Sequence, residues 1–189
     1  MINIPNAITL LRILMVPLFL SFLAEGSTDL ALGVFILAGV SDAIDGAIAR
    51  ITDSRTELGA HMDPAADKLL LVSAFIALGI KEMVPLRLMI LVIVRDVVIL
   101  GAYLISAAMA GKSMPMQPTV WGKLSTFLQL SCVGLVLLAH TAWVGIPSLL
   151  LSTVFIATGI TAVISGAGYM LDGLRWYQRL ESDGPSATT

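Results

Sequence analysis

Residues 41–71 read SDAIDGAIARITDSRTELGAHMDPAADKLLL, and this stretch predicts how the rest of the chain is organised. Asp42 and Asp45 are three residues apart, and Asp63 and Asp67 are four apart. On helices, each of these spacings places both carboxylates on one face. Asp42 lies near the end of a long apolar segment and Asp67 opens another, so two helices are expected to gather four carboxylates at one depth.

Four carboxylates close together near lipid repel one another and cannot stay ionised without cations. Oxygen ligands of this kind favour magnesium, calcium or manganese over zinc. Because charged groups inside membranes are costly and usually functional, the stretch is interpreted as a divalent-metal site. The alternative open at this point is a helical hairpin with a solvated acidic turn.

The composition indicates an integral membrane protein in contact with the lipid bilayer. The 189 residues are 57% hydrophobic and 13% charged, with a mean hydropathy of +0.93. Soluble domains are about 25% charged. The formal net charge of −2 is too small to indicate a nucleic-acid partner.

Six apolar segments are predicted, each near the ~20 residues that a helix needs to span a bilayer. Turns that contain glycine, proline or charged residues separate them. The predicted fold class is an all-α integral membrane protein with six transmembrane helices. These helices form one domain, residues 1–180, and a disordered polar tail is expected at 181–189. The segments are 7–24, 30–50, 60–80, 86–109, 120–140 and 148–171.

Positive charge is distributed unevenly between the two predicted sides of the membrane. Lys81 and Arg87 lie on one side, and six cationic residues lie on the other. The positive-inside rule then places both termini and the acidic stretch on the cytoplasmic side, here of a bacterial inner membrane. The six residues are Arg50, Arg55, Lys112, Lys123, Arg175 and Arg179.

The acidic stretch follows the pattern D-x2-D-G-x2-A-R-x8-G-x3-D-x3-D. It resembles the signature of the CDP-alcohol phosphotransferase family at all eight specified positions. The run NAITLLR at residues 6–12 is similar to the amino-terminal segment of that family, and the resemblance covers about residues 4–130. The eight positions are Asp42, Asp45, Gly46, Ala49, Arg50, Gly59, Asp63 and Asp67.

The resemblance implies a metal-dependent phosphatidyltransferase that uses CDP-diacylglycerol and releases CMP. Two Mg²⁺ or Mn²⁺ ions would be held by the four aspartates, and Asp67 would also be the general base on the acceptor hydroxyl. A homodimer is also suggested by the family. Nucleotide and phosphate binding would fall to Asp42, Gly46, Ala49, Arg50 and Gly59. The small residues let the nucleotide approach the helix backbone, and Arg50 can bind phosphate through two parallel hydrogen bonds.

The acceptor is predicted from sequence outside this motif. The runs IPNAIT at 4–9 and DPAADK at 63–68 look like the branch that makes phosphatidylglycerol phosphate or cardiolipin. Enzymes of that branch that use glycerol 3-phosphate usually carry Arg-Glu in the fourth helix and a second Arg one to two turns later. Here Asp96 follows Arg95, and the second Arg is missing, with Tyr103 in that region.

Other residues are more similar to the eukaryotic type of cardiolipin synthase. They are the run RDV at 95–97, PTVWGKLST at 118–126 and the pair QL at 129–130. Phosphatidylglycerol is therefore the predicted acceptor, with glycerol 3-phosphate as the alternative. Arg95 and Lys123 are the candidate residues for the acceptor phosphate, because both could approach the depth of the acidic cluster.

A divalent-cation transporter is the alternative from a different functional class, since charged residues inside a helical bundle could also form an ion path. A second acidic cluster would mark an exit path, and none is evident in the sequence. An inverted repeat is also not evident, so the enzyme is the preferred interpretation.

Overall fold

The computed structural model describes the backbone of residues 4–52, 57–110 and 119–182, and the side chains of 13–41, 68–101, 119–175 and 178. Within these ranges the chain is helical and contains no strand. Six helices follow one another along the chain. They are α1 (Ile4–Ala24), α2 (Thr28–Thr52), α3 (Glu57–Ile80), α4 (Leu86–Ala110), α5 (Val120–Ala139) and α6 (Ser148–Ser182).

Short turns of defined chemistry separate the helices. Gly26 has a φ of +80° between α1 and α2, a conformation that glycine adopts without steric cost. The carbonyl of Pro147 accepts hydrogen bonds from the first turn of α6. At the start of α5, Thr119 Oγ1 accepts a hydrogen bond from Gly122 N at 3.1 Å, which satisfies a donor that the helix itself cannot pair.

The turn between α1 and α2 lies beside the turn between α3 and α4. Lys81 Nζ donates to the carbonyl oxygen of Ala24 at 3.3 Å, which brings the two turns to one end of the bundle. Because α2 begins at this end and α3 finishes there, α2 and α3 run in opposite directions. Their other ends, Thr52 and Glu57, are separated by only four residues.

The apolar core lies where α1 packs against α2 and α3. Phe19 and Phe35 meet with ring centroids 6.2 Å apart, and Phe19 is fully buried. Gly79 allows α3 and α4 to approach closely, since a Cβ added there would collide with the Met89 side chain unless that side chain moved. The helices are therefore held by close packing as well as by hydrophobic contact.

The second half of the chain adds α4, α5 and α6 to this core. Leu88 packs near Gly159 and Arg95 near Gly166, so α4 and α6 run in the same direction. Thr158 Oγ1 donates to the carbonyl oxygen of Leu128 at 3.4 Å, and α5 runs opposite to α6. Helix α5 also contacts α2 and α3 and so closes the bundle.

Two helices are long and apolar enough to cross a membrane among the residues whose side chains are described, Val120–Ala139 and Ser148–Arg175. Shorter apolar helical segments occupy Ile13–Ala24, Thr28–Ser41 and Lys68–Ile80. Many large apolar side chains face outward, which is typical of helices surrounded by lipid.

The predicted segments agree with the observed helices within a few residues, except at the C-terminus. Helix α6 continues to Ser182, whereas the apolar segment was predicted to finish at residue 171. The additional turns are polar and include an ion pair between Asp172 and Arg175 at 3.8 Å. The predicted tail therefore begins inside α6, and residues 183–189 lie outside the described part of the chain.

Candidate functional site

The four motif aspartates lie on the two antiparallel helices α2 and α3. Asp42 and Asp45 lie in the second half of α2, and Asp63 and Asp67 lie in the first half of α3. At 1.5 Å per residue, Asp42 and Asp67 are each about 15 Å along the helix from the ends at Thr52 and Glu57. Asp45 and Asp63 are each about 10 Å from those ends. Asp42 and Asp67 are therefore equally far from their own helix ends, and so, approximately, are Asp45 and Asp63.

The side chains of these aspartates lie outside the described residues, as do those of Gly46, Ala49, Arg50 and Gly59. Their assigned contacts to metal and nucleotide remain predictions. Four carboxylates on two consecutive helices are a donor set that suits magnesium or manganese, which prefer oxygen ligands. The described side chains contain no group of three or more residues that could hold a metal ion.

A polar cluster lies immediately beyond Asp67. We define the buried cationic cluster as Lys68 on α3, Arg95 and Asp96 on α4, and Ser165 on α6. Lys68 Nζ lies 2.8 Å from Asp96 Oδ1, and the Arg95 guanidinium also binds this oxygen through Nη1. The Arg95 and Asp96 side chains are only 7% exposed, so this carboxylate interacts with two cations away from bulk solvent.

Ser165 fixes the other edge of the Arg95 side chain. Its Oγ accepts hydrogen bonds from Arg95 Nη2 at 2.9 Å and from Nε at 3.3 Å. The aliphatic part of Arg95 passes close to Gly166, where an added Cβ would lie 3.6 Å from Arg95 Cγ, at ordinary van der Waals distance. A guanidinium has five N–H groups, and these contacts use three of them. The other two N–H groups have no partner among the described residues and could bind a ligand.

The buried cationic cluster carries a formal net charge of +1. Lys68 and Arg95 contribute two positive charges, Asp96 contributes one negative charge, and Ser165 contributes none. Ionised groups removed from water need close partners of opposite charge. Among the described side chains, the cluster therefore has one positive charge without a negative partner, and an anion bound beside it would complete the pairing.

Lys123 is placed differently from Arg95. It lies in the first turn of α5 and is exposed, whereas Arg95 is buried in the middle of the bundle. No hydrogen bond or ion pair joins these two described side chains. The structure therefore brings Arg95 together with Lys68, Asp96 and Ser165, and it does not bring it together with Lys123.

Helix α5 contributes a second buried polar pair. Gln129 and Ser125 are fully buried, and Gln129 Nε2 donates to Ser125 Oγ at 3.3 Å. Gln129 Oε1 has no hydrogen-bond partner among the residues that the structure describes. Reversing the amide would exchange these roles and leave the nitrogen unpaired, because one end contacts Ser125 and the other end is free.

The sequence analysis did not identify Ser165, Ser125 or Gln129 as site residues. Thr158, Thr161 and Ser165 recur at helical spacing on α6 and are all buried. Polar residues repeated on one face of an otherwise apolar helix indicate a buried polar contact. This periodicity was the available signal for Ser165, although it does not identify Arg95 as the partner.

Comparison with known proteins gives a family match over most of the chain. A family model described as CDP-alcohol phosphatidyltransferase matches residues 2–165. A protein of Mycobacterium tuberculosis named "Probable phosphatidylglycerophosphate synthase" is 33% identical over 180 residues, covering 92% of this chain and 82% of the relative.

Two further relatives carry a different name. A Drosophila melanogaster protein named "Probable cardiolipin synthase (CMP-forming)" is 30% identical over 188 residues, covering 90% of this chain and 57% of the relative. A Streptomyces coelicolor protein named "Cardiolipin synthase (CMP-forming)" is 31% identical over 167 residues, covering 85% of this chain and 77% of the relative. Similar identities therefore accompany two different names.

Proposed function

Since this chain belongs to the CDP-alcohol phosphatidyltransferase family, we propose that it transfers the phosphatidyl group of CDP-diacylglycerol to phosphatidylglycerol. The products are cardiolipin and CMP. A hydroxyl oxygen of phosphatidylglycerol forms a bond to the phosphatidyl phosphorus, and the bond from that phosphorus to the bridging pyrophosphate oxygen breaks. Membership of a transferase family supports this reaction over divalent-cation transport.

The net charge of the buried cationic cluster is the observation that carries the choice of acceptor. The phosphodiester of phosphatidylglycerol has one negative charge, which matches the single uncompensated positive charge of Lys68, Arg95 and Asp96. Glycerol 3-phosphate is a phosphate monoester with a charge close to −2 at neutral pH, and it would leave one negative charge unpaired. The two free N–H groups of Arg95 suit a phosphodiester oxygen pair.

The motif aspartates are assigned to the donor half of the reaction. Asp42, Asp45, Asp63 and Asp67 would hold two divalent cations, Mg²⁺ or Mn²⁺, through their carboxylate oxygens. When bound, such ions neutralise charge on the pyrophosphate oxygens and orient them for displacement. Arg50 would bind phosphate, while Gly46, Ala49 and Gly59 would allow the nucleotide to lie close to the helices.

Asp67 is the proposed general base. Its carboxylate would take the proton of the acceptor hydroxyl while that oxygen attacks phosphorus. Lys68 follows directly and belongs to the buried cationic cluster, so the proposed base and the proposed acceptor site adjoin along α3. Lys123, at the start of α5, would act at the entrance rather than beside Arg95.

We also propose how the chain is arranged in the membrane. We propose six membrane-spanning helices, with α2 and α3 joined on the cytoplasmic side of a bacterial inner membrane. Both lipid substrates would enter sideways from the leaflet, and CMP would leave to the cytoplasm. A homodimer is proposed from the family resemblance, and residues 1–180 are proposed as its one folded domain.

Glycerol 3-phosphate is the second candidate acceptor. The relative from Mycobacterium tuberculosis, whose printed name is a phosphatidylglycerophosphate synthase, favours it. One experiment distinguishes the two. Purified protein receives CDP-diacylglycerol with equal concentrations of phosphatidylglycerol, glycerol 3-phosphate and inositol, in the presence of Mg²⁺ or Mn²⁺.

Mass spectrometry of the lipid products should find cardiolipin as the main product, with CMP released in equal amount. Asp67→Asn protein, prepared in parallel, controls for a contaminating enzyme. Phosphatidylglycerol phosphate as the main product would replace the proposed acceptor with glycerol 3-phosphate. Transfer to neither acceptor, without CMP release, would contradict the proposed reaction.

A further inference from the structure

We propose that Asp96 determines which acceptor charge this enzyme prefers. Its carboxylate neutralises one of the two positive charges in the buried cationic cluster. The cluster should therefore bind a singly charged phosphodiester in preference to a doubly charged phosphate monoester. This inference rests on the proposed function, because it concerns the acceptor of the same reaction. Asp96 acts through Lys68 and Arg95 and is therefore a specificity-determining residue, not a catalytic one.

The geometry gives Asp96 a central place in the cluster. One of its oxygens, Oδ1, receives both Lys68 Nζ and Arg95 Nη1. Its side chain is 7% exposed, compared with 38% for Lys68. The carboxylate is therefore enclosed, and Lys68 and Arg95 are the groups that can present positive charge to a ligand.

Because the cluster is buried, the balance between its charge and the charge of the ligand strongly affects binding. Opposite charges interact far more strongly in a protein interior than in water, because fewer solvent dipoles screen them. An anion that leaves one charge unpaired in such a place is disfavoured. The cluster of net charge +1 should therefore discriminate against a dianion, although either anion could fit the same cations.

Replacing Asp96 by Asn isolates this effect. Asparagine has nearly the same shape and keeps an oxygen that can accept hydrogen bonds from Lys68 and Arg95. Ser165 and the contact with Gly166 continue to hold the guanidinium, since neither depends on the Asp96 charge. The cluster charge rises from +1 to +2 while its main contacts remain available.

The experiment measures kcat/KM for glycerol 3-phosphate and for phosphatidylglycerol in wild-type protein and in Asp96→Asn. The ratio of the two values should shift toward glycerol 3-phosphate by roughly 10- to 100-fold, the range expected for one charge acting over about 6–12 Å at an effective dielectric constant of about 20. Each compound is also measured as an inhibitor of the other reaction. If wild-type protein turns over only one of the two acceptors, the inhibition constant of the other replaces its kcat/KM in the comparison.

Asp172→Asn is the matched control. It makes the same chemical change at an aspartate that pairs with Arg175 on α6, outside the cluster, and it should leave the ratio unchanged. Lys68→Met provides the opposite test, because it lowers the cluster charge to zero. The ratio should then shift away from glycerol 3-phosphate by at least about 10-fold.

Equal loss of both acceptors in Asp96→Asn, or an unchanged ratio, would overturn the inference. If Asp96→Asn does not fold, the inference is tested with Lys68→Met alone. An unchanged ratio in that variant would also overturn it. The proposed function fails separately, when wild-type protein makes phosphatidylglycerol phosphate instead of cardiolipin. The change of ratio between wild type and variant still tests the role of Asp96 in that case.

Discussion

Lys68 Nζ lies 2.8 Å from Asp96 Oδ1 and joins α3 to α4 one residue beyond Asp67. An ion pair at this position restrains rotation of α3 about its axis. That rotation decides which neighbouring groups Asp63 and Asp67 can reach, because successive helix residues point in different directions. The link therefore connects the acidic motif with the buried cationic cluster through one turn of helix.

Removing a single one of the proposed metal-binding aspartates should abolish most of the activity. Asp42→Ala, Asp45→Ala and Asp63→Ala each remove one oxygen ligand and should weaken divalent-metal binding, while the protein still inserts into the membrane. Metal titration followed by CMP release would measure both effects. Asp172→Ala, on exposed polar α6, is the control that should retain activity. Full activity in Asp45→Ala with unchanged metal dependence would refute the assignment of Asp45.

Asp67→Asn should separate proton transfer from donor binding. The substitution preserves size and polarity and removes the proton acceptor, so turnover should fall by roughly 10²- to 10⁴-fold. Binding of CDP-diacylglycerol should remain if the other three aspartates suffice for the metal. Equilibrium binding and steady-state kinetics on the same preparation would show both. Near-normal turnover would exclude Asp67 as the base.

Helix positions could be predicted from this sequence because long apolar runs are interrupted by glycine, proline and charge. The six predicted segments each correspond to a helix, and the family expected from the aspartate motif is confirmed. The C-terminal end of α6 was missed for a physical reason. Hydropathy marks the lipid-facing part of a helix, whereas the last turns of α6 are polar and carry the Asp172–Arg175 pair.

The contacts of the cluster could not be predicted in the same way. Lys68 and Asp96 are 28 residues apart, and Arg95 and Ser165 are 70 apart, on helices whose rotation and register the sequence alone does not fix. The structure buries Arg95 against the polar side chains of Asp96 and Ser165. Its assignment with Lys123 to the acceptor phosphate stays a prediction.

The buried pair on α5 should show strong coupling. Ser125→Ala leaves both ends of the Gln129 amide without a protein partner and should destabilise the protein by about 1–3 kcal/mol. Adding Gln129→Met removes the unpaired polar group, so the double variant should recover most of that loss. Thermal unfolding in detergent would measure this. A double variant no more stable than Ser125→Ala would show that Gln129 is satisfied in another way.

The orientation of the chain can be tested with one cysteine. Ser54 lies between α2 and α3, on the side with more positive charge, and the positive-inside rule places it in the cytoplasm. The native Cys132 is fully buried, so it is replaced by Ala in the background. Ser54→Cys should react with a membrane-impermeant thiol reagent only after cells are opened. Labelling in intact cells would reverse the proposed topology.

Arg95 should matter more for the acceptor than for the donor. Arg95→Ala removes two free N–H groups from the proposed acceptor site and should raise KM for phosphatidylglycerol by at least about tenfold, the loss expected for a hydrogen bond to a charged group. KM for CDP-diacylglycerol should change much less. Lys123→Ala should have a smaller effect on both, because Lys123 is exposed.

Ser165→Ala extends this test to the group that holds Arg95. The variant loses the hydroxyl that accepts from both Nε and Nη2, so Arg95 becomes less well fixed and KM for phosphatidylglycerol should rise by a few-fold. Ser165→Thr keeps the hydroxyl and should restore much of the affinity. Thr153→Ala, which removes an exposed hydroxyl bonded only to the Leu149 carbonyl, is the control on the same helix. Kinetics with each lipid varied separately would decide, and equal increases in KM for both lipids would remove Arg95 and Ser165 from the acceptor site.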